Sequence, residues 1–244
     1  MHGSISTGEQ WLPVAQILAE QYTVMLVDRR GRGLSGDAQD HHLSTEVADL
    51  NAVLAAAGAG ARLFGHSYGA IVAAATAAAG ADISALALYE PSLPVNGVDP
   101  LQSAARSSIA AAVVAGDLNG ALSMMLQGRV GMTEAEVANL RRTPAWAGMV
   151  ETTPPLPREL QVIDGLVDDL DRFTTIEQGT LLLRGKETAR KFVDATRFLV
   201  EKLPATTLVE IPGQGHLAHV AAPDTVADAV RSFLGEAQYS SRTS

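Results

Sequence analysis

Residues 65–69 form the pattern Gly-x-Ser-x-Gly, with Ser67 at its centre. A short apolar run at 61–64 precedes the pattern, and a segment of small residues at 70–79 follows it. A strand, a tight turn carrying a serine, and a helix in this order form a nucleophile elbow. Because the chain has 22 glycines, the pattern can also arise by chance. Ser67 is therefore a candidate nucleophile that needs partners elsewhere in the chain.

The residues flanking Ser67 fit a strained turn. Gly65 and Gly69 lack side chains that would clash where the strand and the helix meet. The helix that follows points its amino terminus at the serine, where backbone N–H groups stabilise negative charge. The N–H of Tyr68 is the donor nearest to the nucleophile.

Two further side chains complete a candidate triad. Ser67, Glu187 and His216 each follow a predicted strand, in the chain order nucleophile, acid, base. A serine hydroxyl is a weak nucleophile until an imidazole takes its proton, and the imidazole needs a carboxylate to fix its tautomer. Histidine, with a reference pKa of about 6.5, suits this task near neutral pH. We therefore predict a Ser67–His216–Glu187 triad.

Alternatives exist for the base and the acid. His219 lies beyond the glycine turn that carries His216, and His66 lies inside the elbow and is expected to support it. Glu90 also ends a strand, but Pro91 restricts its backbone to extended geometry and directs the chain away. Glu187 has a structural interpretation too, since a carboxylate favours the positive end of the following helix. We prefer Glu187 as the acid and keep Glu90 as the alternative.

Glycines 31, 33 and 36 follow a predicted strand and match the formal Gly-x-Gly-x-x-Gly pattern. Dinucleotide binding requires these glycines to open a helix and an acidic residue about 20 positions on. Neither condition is met here. We interpret the stretch as a structural loop with its charges in solvent.

Composition excludes several classes of protein. The 244 residues are 47% hydrophobic and carry a net charge of −9, which argues against nucleic acid or an anionic membrane as partner. There is no cysteine, and the first residues do not resemble a signal peptide. The longest apolar run is shorter than the roughly 20 residues of a membrane span. We expect a cytoplasmic protein with no metal or cofactor and a small-molecule substrate; the oligomeric state is open.

Strands predicted at 23–27, 61–64, 84–89, 180–184 and 206–211 alternate with helices, which indicates an α/β fold with a mostly parallel sheet. Residues 91–177 read as helices, including one behind a Thr133–Glu136 capping box. We predict a core of residues 1–90 and 178–238, a helical lid at 91–177 and a tail at 239–244. Apolar lid side chains either line a substrate pocket or, as we favour, pack the lid on the core: Met124, Met125, Trp146 and Met149.

The chain resembles the α/β-hydrolase superfamily in three loops, at 28–36, 65–69 and 213–216. It is most similar to an unassigned bacterial subgroup through 86–91, the stretch 115–149 and the leucines at 181–183. The resemblance implies that the His-Gly pair at 2–3 begins an oxyanion loop, with the Ser4 N–H as a second donor beside Tyr68. The subgroup more often has aspartate where Glu187 stands. The family also places a strand before the His-Gly pair, so we expect amino-terminal strands to be missing and the sequence to be shortened.

Together these features predict a serine hydrolase that cleaves a small, mainly apolar carboxylic ester through an acyl-enzyme. Hydrolysis of a C–C bond, lactone or amide by the same triad is the alternative within enzymes. A binding module that holds a ligand without turning it over is the alternative outside them.

Overall fold

A computed structural model describes residues 1–38, 41–97 and 100–240. Within these residues the sheet contains four parallel strands in sequential order, so all four carboxyl ends meet at one edge. In the register, His66 lies opposite Tyr89 and Gly185 lies opposite Ile211. The strands are β1 (Ala61–His66), β2 (Ile83–Tyr89), β3 (Thr180–Gly185) and β4 (Thr206–Ile211).

Helices cover both faces of the sheet and fill the long connection between β2 and β3. The α-helices within the described residues are α1 (Leu12–Leu18), α2 (Leu43–Ala57), α3 (Tyr68–Ala78), α4 (Pro100–Val114), α5 (Leu118–Met125), α6 (Glu134–Leu140), α7 (Ala145–Glu151), α8 (Leu156–Gly165), α9 (Arg190–Lys202), α10 (Ala218–Ala221) and α11 (Pro223–Ser240).

The central strands β2 and β3 are buried on both faces, which is why they are nearly continuous apolar runs. Along β2, Leu86 and Leu88 pack into a core with α2 and α3, whereas Ala85 and Ala87 face α1 and α11. The side chains alternate between the two faces because a strand has a period of two residues. Most of α3 is buried, and its small alanines let it pack closely on β1 and β2.

Residues between β2 and β3 form a helical insertion containing α4 to α8, as the sequence predicts. The predicted capping box is confirmed: Thr133 and Glu136 exchange hydrogen bonds at the start of α6. None of the helices in the described part of the chain is long and apolar enough to cross a membrane.

The prediction of a buried strand at 23–27 is wrong. This segment forms no strand, and Met25 and Leu26 are exposed. A cavity of about 370 Å³ lies between the segment and β1, lined by both. Because strands must lie about 4.8 Å apart to share hydrogen bonds, the cavity leaves 23–27 without a ladder partner. The carbonyl of Met1 instead accepts from the His66 N–H at 3.0 Å, which places the first residues beside the elbow.

The described part of the chain ends within the tail predicted at 239–244. The last helix, α11, continues to Ser240, so residues 239 and 240 are helical. Residues 241–244 lie outside the described part of the chain.

Candidate active site

The nucleophile elbow has the geometry that its sequence predicts. Ser67 lies between β1 and α3 with φ of 56°, a conformation that costs a residue with a side chain about 1–3 kcal/mol. Both flanking glycines are required: a Cβ on Gly65 would lie 2.6 Å from the Gly69 carbonyl oxygen, and one on Gly69 would overlap the His2 carbonyl oxygen. The turn therefore holds Ser67 at the carboxyl edge of the sheet.

Three side chains form a continuous hydrogen-bonded row at this edge. The Ser67 Oγ lies 3.0 Å from the Nε2 of His216, and the Nδ1 of His216 lies 2.7 Å from the Oε2 of Glu90. Glu90 is fully buried, so its carboxylate forms the pair with His216 away from solvent. Its other oxygen, Oε1, accepts from the Gly185 N–H at 2.8 Å. The row is Glu90–His216–Ser67.

The expectation that Glu187 contacts His216 is therefore corrected. Glu187 is exposed, and its backbone N–H donates to the Gln214 carbonyl at 2.8 Å. Glu187 follows β3, the neighbour of the strand before His216, but the His216 ring lies over Ser67, and Glu90 follows β2, the strand next to the one before Ser67. Pro91 does not prevent this, since Glu90 turns with φ of 46° rather than continuing the strand.

The protons in this row follow from its partners. A carboxylate accepts hydrogen bonds, so the Nδ1 of His216 carries the proton toward Glu90 and Nε2 is free to accept the Ser67 proton. A second hydroxyl, that of Ser92, lies 3.1 Å from the Ser67 Oγ. With the Ser67 proton directed at His216, the Ser92 hydroxyl is the donor in this contact.

The Tyr89 side chain forms two hydrogen bonds with the loop that carries His216. The Tyr89 hydroxyl donates to the Gly215 carbonyl and accepts from the Ala218 N–H at 3.0 Å. The ring of Phe192 stacks on His216, with centroids 4.2 Å apart and planes 11° apart. These contacts fix the height and the plane of the imidazole above Ser67.

The two other histidines nearby have supporting positions. His66 approaches the His216 carbonyl with its Nε2 at 3.0 Å, and burial holds its pKa well below the usual value. His219 is buried and stacks on Trp11 at 4.3 Å. Burial, with the nearby His216, lowers the pKa of His219 to about 3. Both imidazoles are thus neutral at physiological pH.

The amino-terminal loop lies against the serine. A Cβ on Gly3 would lie 3.0 Å from the Ser67 Cβ. In the described residues, no backbone carbonyl accepts the Ser4 N–H, and the Tyr68 N–H belongs to the first turn of α3, which lacks intrahelical acceptors. Gly3 thus lies against Ser67, and neither of these two N–H groups donates to a backbone carbonyl in the described residues.

The four apolar side chains that the sequence places in the lid belong to two clusters. Met125 belongs to the main core, with Met124 against it; Trp146 lies in a separate cluster, with Met149 against that one. The indole N–H of Trp146 donates to the Asn119 side chain at 2.7 Å. These positions agree with the favoured packing interpretation, and a role in lining a substrate pocket stays a prediction.

The loop at 28–36 differs from its expected form. Arg29 and Arg32 are buried rather than solvated, and they pair with buried carboxylates of Glu46 and Glu159. No local pattern in the sequence marks this pairing, because Glu159 is more than a hundred residues away along the chain.

Among the residues that the structure describes, no group of three metal-ligating side chains is placed to hold a metal ion.

A parallel α/β sheet with a serine elbow after one strand, a histidine loop after another and a buried carboxylate between them defines a hydrolase-type site. The family model described as "Alpha/beta hydrolase family" matches residues 1–229. The chain belongs to the alpha/beta hydrolase family.

Relatives agree with this assignment. An α/β hydrolase structure from Sphaerobacter thermophilus is 30% identical with a TM-score of 0.85, covering 96% of this chain and 90% of that one. The MenH structure from S. aureus shares the fold at 21% identity, with a TM-score of 0.78 and coverage of 98% and 92%. A 2-(acetamidomethylene)succinate hydrolase of Mesorhizobium japonicum is 24% identical over 242 residues, 96% of this chain and 86% of the relative.

Proposed function

We propose that this protein is a serine hydrolase that uses Ser67 as nucleophile, His216 as general base and Glu90 as the triad acid. The observation that supports it is the row from Glu90 to His216 to Ser67, with distances of 2.7 and 3.0 Å. Both distances are within the range for proton transfer between a base and the group it activates. The substrate that we propose is a small, mainly apolar carboxylic ester, and no cofactor takes part.

The reaction begins when the Ser67 Oγ attacks the ester carbonyl carbon while His216 Nε2 takes the hydroxyl proton. The carbonyl oxygen becomes an oxyanion, which the N–H groups of Ser4 and Tyr68 stabilise. Each such donor is worth roughly 3–4 kcal/mol in the transition state. Glu90 keeps the imidazole in the reactive tautomer and stabilises its charged form.

The intermediate then collapses and the C–O bond to the alcohol breaks. The departing alcohol takes the proton from His216, which leaves an acyl group on Ser67 and a neutral imidazole. A water molecule attacks the acyl carbon as His216 accepts its proton, and the second collapse returns that proton to the Ser67 Oγ. The products are a carboxylic acid and an alcohol, and the protein returns to its starting state.

Amide hydrolysis is the second candidate for the same three side chains. The chain aligns over 96% of its length with a hydrolase whose name gives an acetamido substrate. An amine is a poorer leaving group than an alcohol, so this reaction depends more on proton delivery from His216 to the leaving nitrogen. Lactone or C–C bond cleavage by the same side chains is a further variant of the proposal.

A direct test compares hydrolysis of p-nitrophenyl acetate, butyrate and octanoate with that of the matching p-nitroanilides. We expect turnover of the short esters, weaker or no turnover of the anilides, and loss of both with Ser67→Ala while the circular dichroism spectrum is unchanged.

The matched control is Ser35→Ala, which removes a serine hydroxyl from an exposed loop. Full ester turnover by folded Ser67→Ala protein would overturn the serine mechanism. Faster turnover of the anilides than of the esters would replace the ester proposal with the amide one.

A further inference from the structure

Two buried arginines lie directly behind the loop that carries Ser4. Arg29 and Arg32 are both about 2% exposed, and both follow the segment at 23–28. Arg29 forms two hydrogen bonds with Glu46 of α2, at 2.7 and 2.8 Å. Both arginines also bond to Glu159 of α8. We call these four side chains the arginine cluster.

The arginine cluster controls the peptide group that contains the Ser4 N–H. That peptide also contains the Gly3 carbonyl, which accepts from Arg29 Nη1 at 3.3 Å and lies 2.8 Å from His2 Nδ1. His2 Nε2 accepts from the Arg29 N–H at 3.0 Å, so the proton of the neutral ring is on Nδ1 and faces the Gly3 carbonyl. Burial, followed by Arg29, holds the pKa of His2 well below its usual value, which keeps this tautomer neutral.

The N–H and C=O of a trans peptide point in opposite directions. Holding the Gly3 carbonyl toward Arg29 and His2 therefore turns the Ser4 N–H the other way. The peptide group between Ser4 and the next residue is also held in place. Arg32 donates to the Ser4 carbonyl from Nε at 2.9 Å and from Nη2. Two consecutive peptides of the loop are thus oriented by guanidinium groups.

Glu159 is the member of the arginine cluster that joins the two arginines. Its Oε1 lies 2.6 Å from Arg29 Nη2 and 3.0 Å from Arg32 Nη2, and all three side chains are fully buried. Arg29 has a second carboxylate in Glu46, whereas Glu159 supplies the ion pair of Arg32. Burial lowers the pKa of Arg32, Arg29 lowers it further, and Glu159 counteracts both.

We propose that Glu159 is a positioning residue for the oxyanion loop: from the helical insertion it holds Arg29 and Arg32 so that they orient the Ser4 N–H toward Ser67. The proposal rests on the serine hydrolase function above. It links α8 to the transition state through hydrogen bonds, without any contact between Glu159 and the substrate. Without the carboxylate, two buried guanidinium groups repel each other and Arg32 moves away from the Ser4 carbonyl.

The neighbouring residue on α8 provides a matched control. Arg158 bonds to the Asp37 carboxylate at 2.8 and 2.9 Å and to the Ala38 carbonyl at 2.7 Å. It therefore joins the same helix to the end of the same loop by a surface ion pair, and its hydrogen bonds go to Asp37 and Ala38 rather than to Ser4. A general loosening of α8 affects both ties, whereas a displaced Ser4 N–H follows only from losing Glu159.

The test compares Glu159→Gln with Arg158→Gln in three measurements. The first is the amide ¹H–¹⁵N shift of Ser4 in the free protein. The second is the pair kcat and KM for p-nitrophenyl butyrate. The third is the affinity for an alkyl trifluoromethyl ketone relative to the affinity for the corresponding methyl ketone. The Ser67 Oγ adds to the carbonyl carbon of the trifluoromethyl ketone, and the carbonyl oxygen becomes an oxyanion.

For Glu159→Gln we expect a shifted Ser4 amide and a parallel loss of roughly 10- to 100-fold in kcat and in trifluoromethyl ketone affinity. KM and methyl ketone affinity should stay within about threefold of the parent, since ground-state binding does not use the oxyanion donors. Arg158→Gln should retain the parent values in all three measurements.

An unmoved Ser4 amide in folded Glu159→Gln protein, or equal losses in Arg158→Gln, would overturn the proposal. If Glu159→Gln does not fold, Arg32→Lys takes its place, because it keeps a positive charge at Glu159 and removes the two-pronged contact with the Ser4 carbonyl. The same three results are then expected. A parent protein that neither hydrolyses esters nor binds the ketone contradicts the proposed function instead, while the Ser4 amide shift still decides the positioning claim.

Discussion

Ser67 and Glu90 are the two non-glycine residues with positive φ among those described, at 56° and 46°. They directly follow the neighbouring strands β1 and β2. Each such conformation costs about 1–3 kcal/mol and persists only where surrounding contacts over-determine it. For Glu90 those contacts are the His216 imidazole and the Gly185 N–H. Local backbone strain and the row of hydrogen bonds thus occur at the same two residues.

This placement predicts that Glu90, and not Glu187, supports the reaction. Glu90→Gln should lower ester turnover at pH 7 by up to about 10⁴-fold, because an amide no longer stabilises the charged imidazole. Glu187→Gln, the matched control, should retain near-parent turnover, since Glu187 is exposed. Initial rates with p-nitrophenyl butyrate, alongside circular dichroism, measure the difference. Severe loss in the Glu187 variant with near-normal turnover in the Glu90 variant would return the role to Glu187.

At the scale of the elements, the loop after β4 depends on a side chain of β2. Tyr89→Phe removes both hydrogen bonds of the hydroxyl, which leaves the Gly215 carbonyl and the Ala218 N–H without it. An unsatisfied buried group costs about 1–3 kcal/mol, and the loop can relieve this cost by moving. Because a shift of about 1 Å can cost 10²-fold in rate, we expect a loss of roughly 10- to 100-fold in turnover.

The measurement is kcat for p-nitrophenyl butyrate together with the midpoint of thermal unfolding. Tyr22→Phe removes the same hydroxyl from a tyrosine whose ring lies near Arg62, away from the histidine loop, and should leave turnover unchanged. Equal turnover in Tyr89→Phe and parent would mean that the loop keeps His216 in place without this hydroxyl.

The elements that sequence predicts well are those fixed by local signals. The predicted capping box at Thr133 is present. The elbow was also predictable, because its five-residue pattern marks both glycines, although only Gly65 is required by contacts within the turn and Gly69 is required by Met1 and His2. The segment at 23–27 has a strand-like composition, but a strand needs a partner at ladder distance, and a cavity lies there instead.

Long-range pairing explains the remaining differences. Glu90 was set aside because a residue before proline usually stays extended, yet two buried hydrogen bonds outweigh that preference. Its position at the end of the strand beside β1 was the signal that favoured it. Arg29 and Arg32 looked like solvated loop charges because their partner Glu159 comes from the helical insertion. Neither pairing can be read from neighbouring residues.

At the scale of the whole molecule, neutral histidines buried beneath the site make stability depend on pH. The folded protein keeps His219 neutral down to a pKa of about 3, whereas the unfolded chain protonates it near 6.5. The unfolded state therefore binds more protons between these values, and stability falls as the pH is lowered from 6.5 toward 3. At pH 5 the effect of His219 amounts to about 2 kcal/mol.

His219→Phe retains an aromatic ring against Trp11 and removes the titrating group. Urea unfolding at pH 7.5 and pH 5 should show a smaller loss of stability in this variant than in the parent. His66 and His2 also have lowered pKa values, so part of the pH dependence should persist. An identical loss in variant and parent would show that His219 is protonated in the folded protein well above pH 3.

Covalent labelling tests the central claim most directly, because it requires no knowledge of the substrate. A fluorophosphonate reacts with a serine that a neighbouring imidazole activates, and the adduct is located by mass spectrometry of the intact protein and its peptides. We expect a single adduct, on Ser67, that forms in the parent and is absent from Ser67→Ala. A parent protein that stays unlabelled, or carries its adduct on another residue, would contradict it.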